Sequence, residues 1–94
     1  MNVKISYSRR SEKFLKGNSN VISEEEIENL LIKAFKRIFL KEDSNIDLKK
    51  MKGVSFNLCR VRKGNIRIVF SISKDSEINF SIDINDIGFR GNIY

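Results

Sequence analysis

The sequence predicts an α+β fold in which a strand and two helices precede a three-stranded antiparallel meander that packs on the helices. Three observations support this prediction. The stretch NVKISY alternates apolar and polar residues with the period of two that is typical of a half-buried strand. Apolar residues between positions 27 and 39 recur at helical spacing. After position 56, three further segments with strand character are separated by short turns.

Length and composition predict one globular domain over residues 1–94. Of its 94 residues, 40% are apolar, and neither Pro-rich nor Gly-rich stretches interrupt them. A chain of this size buries about 60–70% of its unfolded surface, which is enough for a small core. The single Cys excludes an internal disulfide. Since the start has no signal-peptide pattern and no apolar run approaches the ~18 residues of a membrane span, we expect a soluble cytoplasmic protein without a membrane partner.

The first helix is predicted over SRRSEKFLKG, directly after the first strand. Ser8 is the expected N-cap, and Gly17 is the expected left-handed residue that ends the helix. Phe14 and Leu15 are its apolar residues. The sequence therefore predicts a short helix with a narrow buried face.

The second helix has a well-marked start, because Ser23 and Glu26 match the capping box S-x-x-E. Acidic residues follow at the positive end of the helix dipole. The apolar stripe, which we interpret as core and not as a cofactor site, comprises Ile27, Leu30, Leu31, Ala34, Phe35, Ile38 and Phe39. The acidic run itself predicts no metal site, since successive helical residues point in different directions and the chain has no His.

The stretch NIDLKKMKG is predicted to link the second helix to strands over about 56–62, 66–73 and 78–85. Either Lys63-Gly64 or Gly64-Asn65 forms the two-residue loop of the first hairpin. With either loop, the alternation of a strand separates two sets of side chains. The core set is Cys59, Val61, Ile68, Phe70 and Ile72, with Cys59 as a small buried apolar residue. The opposite set is Arg60, Arg62 and Arg67.

Positive charge is concentrated in residues 48–70, which contain seven Lys and Arg and no acidic residue, in a chain of net charge +6. Three roles are open for this segment: a solvated edge that prevents aggregation, a docking surface for an acidic partner, and a site that binds phosphates. Like charges placed side by side on a sheet cost stability unless an anion lies between them. Edge protection generally uses scattered Lys. The three arginines on one face therefore favour a functional anion site.

The order of elements, with LKKMKG before the meander, CRVRKGNIRIVFSI as the hairpin and FRGNIY at the end, resembles the RelE/ParE superfamily of bacterial toxin-antitoxin toxins. The resemblance covers nearly the whole chain. It implies a microbial RNase-like fold that a cognate antitoxin holds inactive. In the RelE branch, the toxin enters the ribosomal A site and cuts mRNA, with no metal or other cofactor, by driving the 2′-hydroxyl onto the adjacent phosphate. In the ParE branch, the same scaffold poisons DNA gyrase.

The resemblance also implies roles for individual residues and favours the RelE branch. Arg60 and Arg67 match the basic site residues of the hairpin, and Arg90 and Tyr94 match the C-terminal pair. Arg67 would neutralise the scissile phosphate. Arg90 would stabilise that phosphate or assist the leaving oxygen, and Tyr94 would stack on a base or take part in proton transfer. Phe89 stands where many nuclease members carry His or another basic residue.

Further cations are expected to bind the ribosome and mRNA electrostatically. They are Lys49, Lys50, Lys52, Arg62 and Lys63. The resemblance to the RelE branch thus implies a metal-free, ribosome-dependent mRNA endoribonuclease, and the arginine-rich site chemistry favours that branch. A gyrase inhibitor and a non-toxic relative that binds RNA or a partner protein remain as alternatives.

Overall fold

A computed structural model describes residues 1–51 and 58–89, which form two helices and one five-stranded sheet. The elements in chain order are β1 (Asn2–Tyr7), α1 (Arg9–Gly17), α2 (Glu24–Phe39), β2 (Asp47–Lys50), β3 (Leu58–Lys63), β4 (Ile66–Lys74) and β5 (Asn79–Phe89). The strands lie in the order β1-β5-β4-β3-β2. Strand β1 is parallel to β5, and all other pairs are antiparallel. Within these two ranges, neither helix has both the length and the apolar character that crossing a membrane requires.

The α+β class, the first strand, both helices and the β3–β5 meander confirm the predicted elements. The predicted sheet was wrong in two respects. Part of the expected linker forms β2, which pairs with β3, and β1 completes the other edge by parallel pairing with β5. Leu48 is the one apolar residue of the four-residue β2, so no alternation marks this strand in the sequence. The parallel pairing joins residues more than 70 positions apart, which local patterns do not encode.

Helix α1 begins as predicted but ends differently. The Ser8 hydroxyl accepts a hydrogen bond from the Ser11 backbone N–H at 3.2 Å. The prediction that Gly17 is a left-handed stop was wrong, because Gly17 belongs to the helix and Asn18 is the C-cap, with φ −133°. The Asn18 side-chain amide donates to the Phe14 carbonyl at 2.9 Å. A side-chain hydrogen bond therefore satisfies a terminal carbonyl where the sequence predicted a glycine turn.

Helix α2 has the predicted capping box. The Ser23 hydroxyl accepts from the Glu26 backbone N–H at 3.1 Å, and a Glu26 carboxylate oxygen accepts from the Ser23 backbone N–H at 3.2 Å. The Ser23 N–H, and after it Lys63, lower the pKa of Glu26. The predicted stripe is buried from Ile27 to Phe35. Phe39, at the last turn, is 39% exposed and only partly covered by Phe80, whose ring centroid lies 5.1 Å away.

The core lies between the helices and one face of the sheet. Val61 lies opposite Ile68 and, with Phe70, is fully buried in the cluster that includes Ile27 of α2. The loop that sets this register is Gly64-Asn65, the second of the two predicted pairs. Gly64 has φ +59°, and a positive φ at the first loop position is typical of a type II′ hairpin.

Cys59 is only partly buried against the core, opposite Phe70. This position agrees with its predicted place on the helix side of the hairpin. Burial raises the pKa of the Cys59 thiol, and the nearby Lys50 ammonium opposes that effect weakly. The thiol is therefore less ionised near neutral pH than an exposed cysteine.

Candidate functional site

Three arginines of the β3–β4 hairpin lie on the face of the sheet opposite the helices. Arg62 is directly across from Arg67, and Arg60 occupies the next position on the same face, across from Val69. Their side chains alternate with the core residues Val61 and Ile68, as the hairpin register requires. We call this surface, formed by Arg60, Arg62 and Arg67, the arginine face.

The pairing of β2 through β5 extends the arginine face into two cross-strand rows. One row consists of Asp47, Arg62, Arg67 and Gly88, and the other consists of Lys49, Arg60, Val69 and Asp86. In the second row, Lys49 and Arg60 are like charges directly opposite each other. In the first row, Gly88 leaves Arg67 without a bulky side chain on its β5 side. The register thus places four cations within two neighbouring rows.

Asp47 supplies a negative charge to this surface. One carboxylate oxygen lies 3.4 Å from Arg60 Nη1, and the other lies 3.8 Å from Arg62 Nε. The Arg60 side chain is 7% exposed and that of Arg62 is 27% exposed. A guanidinium as deeply buried as that of Arg60 needs such a partner, because an uncompensated buried charge is strongly destabilising. The sequence predicted an external anion between these arginines, and the structure adds a carboxylate from the protein itself.

Sequence reasoning did not identify Asp47, although it directly precedes the acid-free segment. The β2–β3 pairing brings Asp47 opposite Arg62, and β2 itself was not predicted. A further unpredicted ion pair lies at the β5 side of the arginine face, where Arg10 Nη2 of α1 is 3.2 Å from an Asp86 carboxylate oxygen. The Asp86 side chain is 16% exposed. Carboxylates therefore lie on both sides of the arginine face, and no local pattern pointed to either.

The predicted RNA-binding lysines do not all share this surface. Lys49 lies on the arginine face, whereas Lys50 and Lys63 alternate to the helix side. Lys50, opposite Cys59, lines a cavity of about 390 Å³ at the end of α2. The Lys63 ammonium lies 3.3 Å from a Glu26 carboxylate oxygen. Lys50 and Lys63 thus lie on the helix side of the sheet, although Lys63 is close to Arg62 at the sheet edge.

Three of the predicted site residues, Lys52, Arg90 and Tyr94, lie outside the described residues. Phe89, which the sequence resemblance aligns with a basic residue of many nucleases, lies at the end of β5. Its ring packs edge-on against that of Phe14, with centroids 5.3 Å apart. This aromatic contact joins α1 to the sheet, so Phe89 has a packing role.

Two acidic residues of α2, Glu24 and Glu28, lie near Tyr7 of β1. The Tyr7 hydroxyl donates to a Glu28 carboxylate oxygen at 2.9 Å. Burial, followed by that hydrogen bond, raises the pKa of Tyr7 well above its usual range. A hydrogen bond with Glu28 raises the pKa of Glu24. Across residues 1–51 and 58–89, no group of three or more His, Cys, Asp or Glu side chains could hold a metal ion.

Comparison with known proteins gives a structural relative and no sequence family. No protein-family model matches the chain, and no curated protein matches it. Its structure is similar to that of a metal-bound toxin from Helicobacter pylori, with a TM-score of 0.62 and 18% sequence identity. The alignment covers 97% of this chain and 98% of the toxin. At this identity the likeness shows a shared fold over nearly the full length of both chains, and membership of the RelE/ParE superfamily stays a prediction.

Proposed function

We propose that this protein is a toxin that cuts mRNA on the ribosome, in the manner that its resemblance to the RelE branch implies. The observation that carries the proposal is the cross-strand pair of Arg62 and Arg67, with Arg60 and Lys49 in the adjacent row. The fold shared with the Helicobacter pylori toxin adds support. A surface with this density of fixed cations is suited to binding a phosphate backbone.

The proposed reaction is attack of the ribose 2′-hydroxyl on the adjacent phosphorus. The 2′-oxygen loses its proton and bonds to phosphorus, and the bond to the 5′-oxygen of the next nucleotide breaks. That oxygen leaves with a proton, and the upstream fragment ends in a 2′,3′-cyclic phosphate. The intermediate carries more negative charge than the diester, so guanidinium donors held in place before the reaction lower the barrier.

Arg67 is the best placed of the described residues for that task. It lies within β4 between two neighbouring strands, opposite Arg62 on one side and Gly88 on the other. Its backbone is therefore held by the sheet ladder, and its side chain lies on the arginine face beside that of Arg62. We assign Arg67 to the scissile phosphate and Arg62 and Lys49 to flanking phosphates.

Arg60 has a different environment, because its side chain is only 7% exposed and is ion-paired with Asp47. Because it is buried, we expect Arg60 to assist cleavage through its positive charge and by helping to position Arg62 and Arg67. From the sequence resemblance, we assign Arg90 to stabilising the phosphate or assisting the leaving oxygen. Tyr94 would stack on a base or take part in proton transfer. Lys50, Lys52 and Lys63 would contact RNA of the ribosome or message beyond the arginine face.

The proposal includes a cognate antitoxin as partner and a reaction without metal. A net charge of +6 is suited to an acidic partner protein. The Helicobacter pylori toxin is metal-bound. For the present protein we expect no metal requirement beyond that of the ribosome. Purified protein and ribosomes should cleave the message at an undiminished rate when EDTA removes the divalent ions that exceed what the ribosome requires.

The decisive experiment is induced expression followed by primer extension on a translated message. We expect translation to stop and cuts to appear within codons that occupy the ribosomal A site. Intact messages together with failure of gyrase to supercoil DNA would replace this proposal with the ParE-like function. If neither effect appears, the protein is a non-toxic relative.

A further inference from the structure

A polar cleft of about 470 Å³ lies at the corner where α2, the start of β2 and the end of β3 meet. The side chains that border it include Lys33, Asn45, Asp47, Arg62 and Lys63. Lys33 comes from the middle of α2, and the segment before β2 brings Asn45 beside it. Three cations from two elements, α2 and β3, therefore border one small space.

Carboxylates compensate this positive charge only in part. Asp47 is shared between Arg60 and Arg62, and Glu26 pairs with Lys63. Lys33 has no ion pair among the residues that the structure describes. Of the cations that border the cleft, Arg62 and Lys63 have these carboxylate partners, so the Lys33 ammonium adds a surplus positive charge. Such a surplus in a concave polar space attracts an anion.

The cleft is continuous with the arginine face. Arg62 and Asp47 border the cleft and also form the β2 end of the Asp47–Arg62–Arg67 row. Lys63, the next residue on β3, alternates to the helix side and borders the same cleft. Because the cleft lies at the sheet edge, side chains from both faces reach it. An anionic chain that crosses Arg67 and Arg62 would continue over this edge into the cleft.

We propose that the cleft binds one phosphodiester group of an RNA strand whose neighbouring phosphates lie on the arginine face, and that Lys33 contacts it directly. The identification of that strand as mRNA rests on the proposed function. A diester carries a single negative charge, which the Lys33 ammonium can balance. The Asn45 amide can donate a hydrogen bond to a phosphate oxygen without adding charge. Lys33 was not among the sequence-predicted site residues, since an exposed helical lysine is ordinarily a solvated surface charge.

The test measures binding of a short single-stranded RNA with uncleavable 2′-O-methyl sugars by fluorescence anisotropy over a range of salt concentrations. Lys33→Gln should weaken binding severalfold and lower the log–log salt slope by about 0.7, the value for one lost contact to a single-strand phosphate. Lys16→Gln makes the same charge change on exposed α1, away from the cleft, and should leave the slope unchanged. An equal slope for Lys33→Gln and the parent protein would overturn the inference.

Inorganic phosphate provides a second probe, through changes in the backbone amide NMR signals of the full chain. We expect phosphate to shift the signals of Asn45 and Lys63 in the parent protein and much less in Lys33→Gln. Shifts by inorganic phosphate with no effect of Lys33→Gln on RNA binding would overturn the assignment to RNA.

The experiments distinguish an error in the cleft inference from an error in the proposed function. If Lys33→Gln binds RNA like the parent while messages are still cut in the A site, the cleft inference alone is wrong. If no message is cut but Lys33→Gln still lowers the salt slope, the cleft stands as an RNA site and the proposed function is wrong.

Discussion

On the helix side of the β3–β4 hairpin, Val61, Ile68 and Phe70 are fully buried, whereas on the other side the same two strands carry Arg60, Arg62 and Arg67. The apolar side is stabilised by removing hydrocarbon from water, at about 25 cal/mol per Å² whatever the direction of the contact. On the arginine side, the carboxylate of Asp47 in β2 offsets the repulsion between positive charges, because it lies close to both Arg60 and Arg62. This difference teaches that changes on the first face should act on stability, and changes on the second on function.

The largest effect on stability is expected for Phe70→Ala. Phe70 is 0% exposed at the centre of the sheet, so the variant should lose about 3–5 kcal/mol of unfolding free energy. Urea unfolding followed by circular dichroism measures the loss. Phe70→Leu keeps most of the volume and should stay folded with a smaller loss. If Phe70→Ala unfolds at the same urea concentration as the parent, the helix side is not the source of stability.

The matching change on the other face is Arg67→Ala, which should slow ribosome-dependent cleavage by about 10²- to 10³-fold, or about 3–4 kcal/mol, as expected for one lost preorganised donor. Urea unfolding should change little, since the side chain points away from the core. Single-turnover cleavage of a ribosome-bound message measures the rate.

Arg67→Lys is the control for charge alone. It should restore only part of the rate, because an ammonium lacks the planar two-point contact with phosphate. If Arg67→Ala cleaves at the parent rate, the arginine face is not the active site. The toxin function could then still be correct.

A smaller effect on stability is expected for Asp47→Asn, which removes the carboxylate next to buried Arg60. Loss of a buried charge partner can lower the free energy of unfolding by about 3–5 kcal/mol. Since the Asp47 side chain is 56% exposed and water screens the pair, we expect a loss of about 1–2 kcal/mol. Asp83→Asn is the matched control, an exposed β5 carboxylate without an ion pair in the described part of the chain. Its free energy of unfolding, measured with urea, should lie within about 0.5 kcal/mol of that of the parent.

A double-mutant cycle shows whether the Asp47 effect comes from Arg60. In the Arg60→Met background the charge is gone, so Asp47→Asn should cost about 1 kcal/mol less than it does in the parent. Equal costs in both backgrounds would mean that the 3.4 Å contact contributes no net stability.

Much of the fold followed from local patterns that physical chemistry makes informative. Ser23 and Glu26 predicted the start of α2, because a capping box satisfies two terminal N–H groups within four residues. Hairpin parity predicted which face Arg67 occupies, because a two-residue loop leaves only one pairing of odd and even positions. Gly17 was misassigned because Asn18 satisfied the helix end through its side chain instead. Phe39 continues the apolar stripe in the sequence but is 39% exposed, because burial at a helix end depends on which elements pack against it.

The candidate site divides in the same way. The cluster of three arginines was determined by the sequence alone, since strand alternation acts between adjacent residues and needs no knowledge of distant ones. Their counter-charge was decided only by the tertiary structure, because Asp47 reaches Arg60 and Arg62 through pairing of β2 with β3. Lys33 borders the cleft beside Asp47 and Arg62 only because α2 packs across the sheet at that point. Electrostatic interactions act through space, so charges set by separate elements combine only after the chain has folded.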